Sequence, residues 1–189
     1  MKATGVVRRI DDLGRIVIPK EIRRTLRIKE GDPLEIFTDK EGEVILKKYS
    51  PIGELSEFAT GYAETLAKTT GHIACITDKD SVIAISGGSK KDFLEQSLSK
   101  ELEKVIENKE VYTSSDNNEI ALPITGNDTR DKIYNSQVIY PIISDGDSIG
   151  SVILLSKEQN QKMGDMELKV VQSAARIFEQ SNEYLDAKY

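Results

Sequence analysis

The feature that most constrains this chain is the difference in charge between its first thirty residues and the remainder. Residues 1–30 hold nine Lys and Arg against four acidic residues, a balance of +5, whereas the whole chain of 189 residues carries −6. Residues 31–189 therefore carry −11. A basic segment joined to an acidic remainder predicts that only the basic segment binds a polyanion.

The overall composition limits the kind of protein this can be. The chain is 38% apolar and 31% charged, which is typical of a folded globular protein. No apolar run approaches the roughly 20 residues of a membrane span, and the N-terminus lacks the apolar core of a secretion signal. We therefore expect a cytoplasmic protein that does not bind membranes.

The residue types for metal and nucleophile chemistry are scarce. One Cys and one His, Cys75 and His72, cannot build a structural zinc site of the usual kind within one chain. Both lie in a predicted strand whose alternation places them on opposite faces. We predict no catalytic residues, no metal and no cofactor.

The first domain, residues 1–50, is predicted to hold four short strands and one short helix. The strands fall at 5–10, 15–18, 34–38 and 43–48, the helix covers 20–26, and Asp11-Asp12-Leu13-Gly14 marks a turn. A module this small buries little surface, and it has no disulfide or metal to stabilise it. We expect an obligate dimer whose strands interleave.

The second domain, residues 51–189, is predicted to be α+β, with helices flanking an antiparallel sheet. Helices are predicted at 51–70, 89–108 and 165–184, and strands at 72–77, 81–86, 111–113, 119–122, 136–143 and 148–156. The first and last helices each carry an apolar stripe. A four-helix bundle made of such helices would join two dimers into a tetramer.

The predicted helix of the first domain carries a stripe of four cations. They recur at i, i+3, i+4 and i+7, on the side opposite Ile22 and Leu26: Lys20, Arg23, Arg24 and Arg27. Glu21 and Glu30 leave open the alternative of a solvated face of surface ion pairs. Arginine suits planar contact with phosphate or guanine, and a dimer doubles the stripe, so the pattern favours nucleic-acid binding.

The residues from Thr4 to Leu26 resemble the AbrB-like transition-state regulators. The specific part is Gly14-Arg15-Ile16-Val17-Ile18-Pro19, and the match continues through the following hairpin to Tyr49 without a gap. The resemblance implies a swapped-hairpin dimer, in which strands of two chains form one β-barrel. It also implies that Arg8, Arg15, Arg23 and Arg24 contact double-stranded DNA, with Lys2 and Arg9 as auxiliary phosphate contacts, and that DNA shape is read more than a strict base code.

For a chain with a second domain of this length, the resemblance implies a GAF-like module for oligomerisation and sensing. It further implies a regulator that activates some genes and represses others in the developing spore. Asn108-Lys109 starts a cyclic-nucleotide signature of GAF domains, but no suitable Phe and Asp-Glu pair follows. The existence and identity of a small-molecule ligand therefore stay open.

Three other functions stay open from the residues. One is a small-molecule sensor that acts through a protein partner, with the first domain serving only to dimerise. Another is an antitoxin-like autoregulator, which the long folded second domain disfavours. The third is an enzyme built on the second domain, which the lack of a Cys/His constellation disfavours.

Overall fold

The computed structural model describes residues 5–114, 121–128, 134–158 and 161–186. Its internal contacts divide the chain into two compact units, Met1–Tyr49 and Ser50–Tyr189. Within the described ranges, no helix combines the length and the apolar character needed to cross a membrane. The assignment of residues 1–50 to DNA binding and 51–189 to regulation stays a prediction.

The first unit contains one helix and one β-hairpin. Helix α1 is Lys20–Thr25, and the antiparallel strands are β1 (Leu34–Thr38) and β2 (Val44–Lys48). The register runs from Leu34 opposite Lys48 to Thr38 opposite Val44. In the turn between the strands, Asp39 Oδ1 accepts hydrogen bonds from the backbone N–H groups of Glu41 and Glu43, at 3.0 and 2.9 Å. The predicted hairpin is confirmed.

The two predicted strands before α1 do not form in the single chain. Residues 5–10 and 15–18 are irregular, and they flank a turn in which the Asp11 N–H donates to the Arg15 carbonyl at 3.0 Å. Their apolar side chains are exposed, Val7 by 89% and Val17 by 71%. A strand needs a neighbouring strand to pair its backbone groups. The β-branched pattern is typical of residues buried in a sheet, but in one chain neither segment pairs with the β1–β2 hairpin.

The second unit is a five-stranded antiparallel sheet with helices on both faces. The elements, in chain order, are α2 (Pro51–Glu54), α3 (Ser56–Thr70), β3 (Ile73–Thr77), β4 (Val82–Ser86), α4 (Lys90–Phe93), α5 (Lys100–Glu107), β5 (Tyr112–Ser114), β6 (Ser136–Ser144), β7 (Asp147–Ser156) and α6 (Asp165–Asp186). The strands lie in the order β4-β3-β7-β6-β5. The long β6–β7 hairpin and the last helix confirm their predictions.

Alternation along the strands divides the core of this unit between the two faces of the sheet. Ala74 and Ile76 of β3 belong to a cluster completed by Ala63 of α3 and Phe178 of α6. Cys75, between them in sequence, belongs to a second cluster with residues of α4 and α5. Successive residues of a strand thus point to opposite faces of the sheet, and both faces are apolar because helices cover both.

The predicted single helix over 89–108 is wrong. It is split into α4 and α5 by an extended segment, in which Ser97 and Leu98 form isolated bridges to Ser81 and Thr125. Ser99 then begins α5, its side chain accepting a hydrogen bond from the Leu102 N–H at 3.1 Å. Most apolar residues between positions 89 and 108 are buried, and Leu94 is half-buried. Backbone pairing and the Ser99 cap outweigh helical periodicity here.

Three smaller differences concern other predictions in the second unit. The predicted helix 51–70 is interrupted at Leu55, between α2 and α3. The predicted strand 119–122 lies partly outside the described residues, and residues 121 and 122 are not in a strand. The apolar periodicity of the last helix predicts that Met166 belongs to its buried stripe, but Met166 is exposed.

Candidate nucleic-acid interface

Helix α1 presents two adjacent arginines in its last turn. Pro19 precedes the helix, and Arg23 and Arg24 lie near its C-terminal end, where the helix dipole favours cations. Arg24 is exposed, and Arg23 is half-buried with its Nε atom fully buried. The surface at this end of the helix is therefore cationic.

The end of α1 is fastened to the hairpin by a pair of residues that sequence reasoning missed. The Lys48 ammonium donates to the Arg27 carbonyl at 3.0 Å and forms an ion pair with Asp32 at 3.2 Å. Asp32 also accepts from the Lys29 N–H at 2.8 Å. Arg27 follows the helix with a φ of +52°, so the predicted stripe of four cations is continuous only to Arg24.

The turn before α1 holds Arg15 in place. Asp11 Oδ1 accepts from the Leu13 N–H at 3.0 Å and the Arg15 N–H at 2.8 Å, while Asp11 Oδ2 accepts from Arg15 Nε at 2.7 Å. The Arg15 side chain nevertheless stays 68% exposed. The hydrogen bonds from the Arg15 backbone and side chain hold the pKa of Asp11 below its ordinary value.

The other predicted contacts lie on the same unit or outside the described residues. Arg8 and Arg9 are exposed on the segment before the turn. Lys2 lies outside the described residues. Among the arginines predicted to contact DNA, Arg15 is the one that an ion pair holds within the described part of the chain. Glu21 and Glu30, which a face of surface ion pairs would require, form no ion pair with these arginines in the described ranges.

A single group of carboxylates in the described residues is close enough to hold a cation. The carboxylate oxygens of Asp39, Glu41 and Glu43 lie within 4.8 Å of one another at the β1–β2 turn. Two of these three residues are exposed, and Asp39 already accepts the two backbone bonds that form the turn. The geometry is that of a hydrogen-bonded turn.

Cys75 and His72 lie apart, as their spacing predicts. Cys75 is fully buried, and burial, assisted by the charge of Asp128, raises the pKa of its thiol. His72 contacts α6, with its Nε2 3.7 Å from Glu167 Oε1. The thiol and the imidazole lie in different parts of the second unit, so they do not form a nucleophile and base pair.

A small polar recess lies in the described part of the second unit. Its volume is about 250 Å³, and its lining is Lys91, Asp92, Gln96, Thr125, Asn127 and Asp128. Asp128 Oδ2 accepts from the backbone N–H groups of Ile124 and Thr125 at 2.9 and 3.1 Å. Thr125 is 1% exposed, and its hydroxyl makes no hydrogen bond within the described residues.

Comparisons with known proteins cover both units. The family described as stage V sporulation protein T C-terminal, transcription factor, matches residues 54–181, and the family of MazE bacterial antitoxins matches residues 7–54. Stage V sporulation protein T of Bacillus subtilis is 54% identical over 175 residues, which are 93% of this chain and 95% of that protein. The transition state regulatory protein AbrB of Bacillus subtilis is 63% identical over 51 residues, which are 27% of this chain and 52% of that protein.

The second unit also resembles solved GAF domains. One from an Acinetobacter phosphoenolpyruvate-protein phosphotransferase has a TM-score of 0.58 at 15% identity, and the match covers 75% of this chain and 87% of that chain. At that identity the likeness establishes the fold alone.

The fold and the basic surface thus define a transcription regulator with an AbrB-like first unit and a GAF-like second unit. More particularly, the chain belongs to the family of stage V sporulation protein T transcription factors.

Proposed function

We propose that the chain regulates transcription by binding double-stranded DNA through its first unit. The observation that carries the proposal is the exposed cationic surface at the end of α1, where Arg23 and Arg24 have no acidic partner among the described residues. Apart from the buried Nε of Arg23, the guanidinium N–H donors of these two arginines are available to phosphate and base edges. Arg8 and Arg15 extend the set, and Lys2 and Arg9 add phosphate contacts.

The DNA-binding form is an obligate swapped-hairpin dimer. Support comes from seven apolar side chains of the first unit that stay exposed in one chain: Val7, Ile10, Leu13, Ile16, Val17, Ile36 and Val44. Several large apolar side chains left exposed in one small unit indicate an interface. A dimer that buries these residues would also place two sets of arginines on one surface.

The second unit is proposed to join these dimers into a tetramer. Phe58 and Tyr62 of α3 pack against Phe178 of α6, with ring centroids 5.3 and 5.7 Å apart. The two helices thus lie side by side, and Phe58 stays partly exposed. A second copy of this helix pair would complete a four-helix bundle.

The biological setting is proposed from the relative's name. The name stage V sporulation protein T suggests that this chain acts in sporulation. In line with what the AbrB-like resemblance implies, the proposed setting is the cytoplasm of the developing spore, with activation of some genes and repression of others. A reporter fusion measured in sporulating cells with and without the gene would test both signs of regulation.

The DNA-binding proposal is tested by fluorescence anisotropy on an AT-rich duplex. We expect Arg23→Ala/Arg24→Ala to weaken binding at least tenfold, because two phosphate or base contacts are lost. The matched control is Lys100→Ala/Lys104→Ala, which removes two exposed cations from helix α5 of the second unit. Equal affinity of the two variants would contradict the proposal.

A second proposed function is ligand binding in the polar recess of the second unit. The unpartnered Thr125 hydroxyl supports it, because a buried hydroxyl without a partner is costly unless a water or a ligand satisfies it. The lining offers a lysine and two carboxylates, which suit a small zwitterionic molecule. Thermal unfolding of the wild type and of Thr125→Val, with each free amino acid and cyclic nucleotide as probes, tests this. A stabilisation that Thr125→Val abolishes supports it, and no shift with any probe counts against this ligand class.

A further inference from the structure

We infer that Asp11 positions Arg15 for selective contact with DNA, so that an acidic residue within the basic surface increases selectivity. The inference rests on the proposed function of the first unit. It concerns a residue that the charge pattern alone would count as opposing DNA binding. Asp11 does not touch the DNA in this account; it acts through Arg15.

Backbone hydrogen bonds fix the Asp11 carboxylate independently of its bond to the arginine side chain. One oxygen accepts two backbone N–H bonds, from Leu13 at 3.0 Å and Arg15 at 2.8 Å. The Gly14 N–H donates to the Asp11 carbonyl at 3.0 Å, and Gly14 has a φ of +77°, which glycine adopts readily. A five-residue turn with this many internal bonds leaves its carboxylate little freedom.

The second carboxylate oxygen binds the guanidinium through a particular atom. Asp11 Oδ2 accepts from Arg15 Nε at 2.7 Å, which is a short, charge-assisted hydrogen bond. Arginine has five N–H donors, and this bond uses the one on Nε. The donors on the two Nη atoms form the outer edge of the guanidinium, and this edge can make bidentate contacts with guanine or phosphate.

The bond fixes the direction of the side chain without burying it. The Arg15 side chain is 68% exposed, so water can reach it, and an exposed ion pair adds little to folding stability. Its benefit is that the arginine loses less rotamer freedom when it binds. The cost is one negative charge near the DNA backbone, which weakens binding to every sequence. Selectivity should therefore rise while general affinity falls.

The test compares Asp11→Asn with Asp12→Asn. Asparagine keeps a carbonyl oxygen that can accept the two backbone bonds of the turn, but its Nδ2 group cannot accept from Arg15 Nε. Asp12 is exposed and makes no side-chain bond within the described residues, so its variant removes the same charge and nothing else. The measured quantity is the ratio of affinities for a duplex enriched by the wild-type chain from a random pool and for a scrambled duplex of equal composition.

We expect Asp12→Asn to bind both duplexes more tightly and to keep the ratio within about twofold. Asp11→Asn should bind the scrambled duplex as tightly as Asp12→Asn does, but with the ratio lowered about tenfold, since a well-placed bidentate contact supplies discrimination of that order. In an Arg15→Lys background, Asp11→Asn should leave the ratio unchanged, because lysine has no guanidinium whose two Nη groups could be positioned.

Equal affinity ratios for the two asparagine variants would overturn the inference. So would a tenfold fall of the ratio on Asp11→Asn in the Arg15→Lys background, because Arg15 would then not be the residue through which Asp11 acts. Circular dichroism of each variant checks that the first unit keeps its fold. Failure of the wild type to bind either duplex would instead overturn the proposed function, and the inference with it.

Discussion

The arginines of the first unit differ in how their side chains are held. Arg15 and Arg24 are both exposed, but Arg15 is held by a carboxylate and Arg24 has no acidic partner in the described chain. Arg23 is half-buried, with its Nε enclosed. The motif identifies all three positions, and the structure distinguishes how freely each can reorient toward a phosphate.

The Asp11–Arg15 bond predicts an unusual titration of the Asp11 carboxyl. Its pKa in the folded chain lies below the model-compound value of 3.8, because Arg15 donates to it from both backbone and side chain. Any contribution of this carboxylate to folding stability is thus fully present above about pH 3.8. It is lost as the pH falls through the lower pKa of Asp11 in the folded chain. Carbon-13 NMR of the side-chain carboxyl should show a midpoint below 3.8 in the wild type and a higher midpoint in Arg15→Ala. Identical midpoints would contradict the described bond.

At the level of elements, the sheet of the second unit depends on a glycine in β7. A Cβ at Gly150 would lie 2.0 Å from the carbonyl oxygen of Thr77 and 3.2 Å from the Asp78 Cα, both of them backbone atoms. Strand β3 has its register irregularity between Ile76 and Thr77, beside this contact. The backbones approach so closely that only glycine fits.

Gly150→Ala should therefore destabilise the second unit by about 3 kcal/mol or more, since two strands would have to separate. Urea unfolding monitored by circular dichroism measures the loss. The matched control is Gly61→Ala on α3, where a Cβ meets nothing within 4 Å and alanine favours the helix by about 1 kcal/mol. A Gly150→Ala chain as stable as the wild type would show that β3 and β7 are not packed as described.

Elements whose signals are local were predictable, and elements decided by distant contacts were not. The β6–β7 hairpin follows from two β-branched runs around Asp145-Gly146, and α6 follows from a long apolar periodicity. The break between α4 and α5 depends on bridges from Ser97 and Leu98 to residues distant in sequence, which no local pattern reveals. Similarly, the arginines of the site follow from charge and motif, whereas the role of Asp11 depends on the geometry of one turn.

For the whole molecule, the exposed apolar residues of the first unit carry the argument for association. Ile16 is 51% exposed in one chain and lies next to Arg15 in sequence, so that a strand here would direct the two side chains to opposite faces. In the proposed dimer Ile16 enters the shared core. If the chain were a monomer, substitutions of Ile16 would have little effect on stability, as at other exposed positions.

Ile16→Asp should accordingly lower the oligomeric state, because a charge in the shared core is not compensated. Light scattering of the wild type at micromolar concentration should give four times the mass of one chain, and Ile16→Asp a smaller multiple. Val111→Asp, at a position 47% exposed in the second unit, is the matched control and should leave the mass unchanged. A wild-type mass of one chain would contradict the dimer, and a mass of two chains would contradict the tetramer.

The central claim, that the basic first unit of an acidic chain binds the DNA backbone, is tested most directly by a salt series. The affinity of the wild-type chain for an AT-rich duplex is measured by anisotropy between low and physiological salt. Each neutralised phosphate contributes a slope of about −0.9 to log affinity against log salt, so about eight contacts predict a slope near −7. A slope near zero, or no binding even at low salt, would contradict the claim.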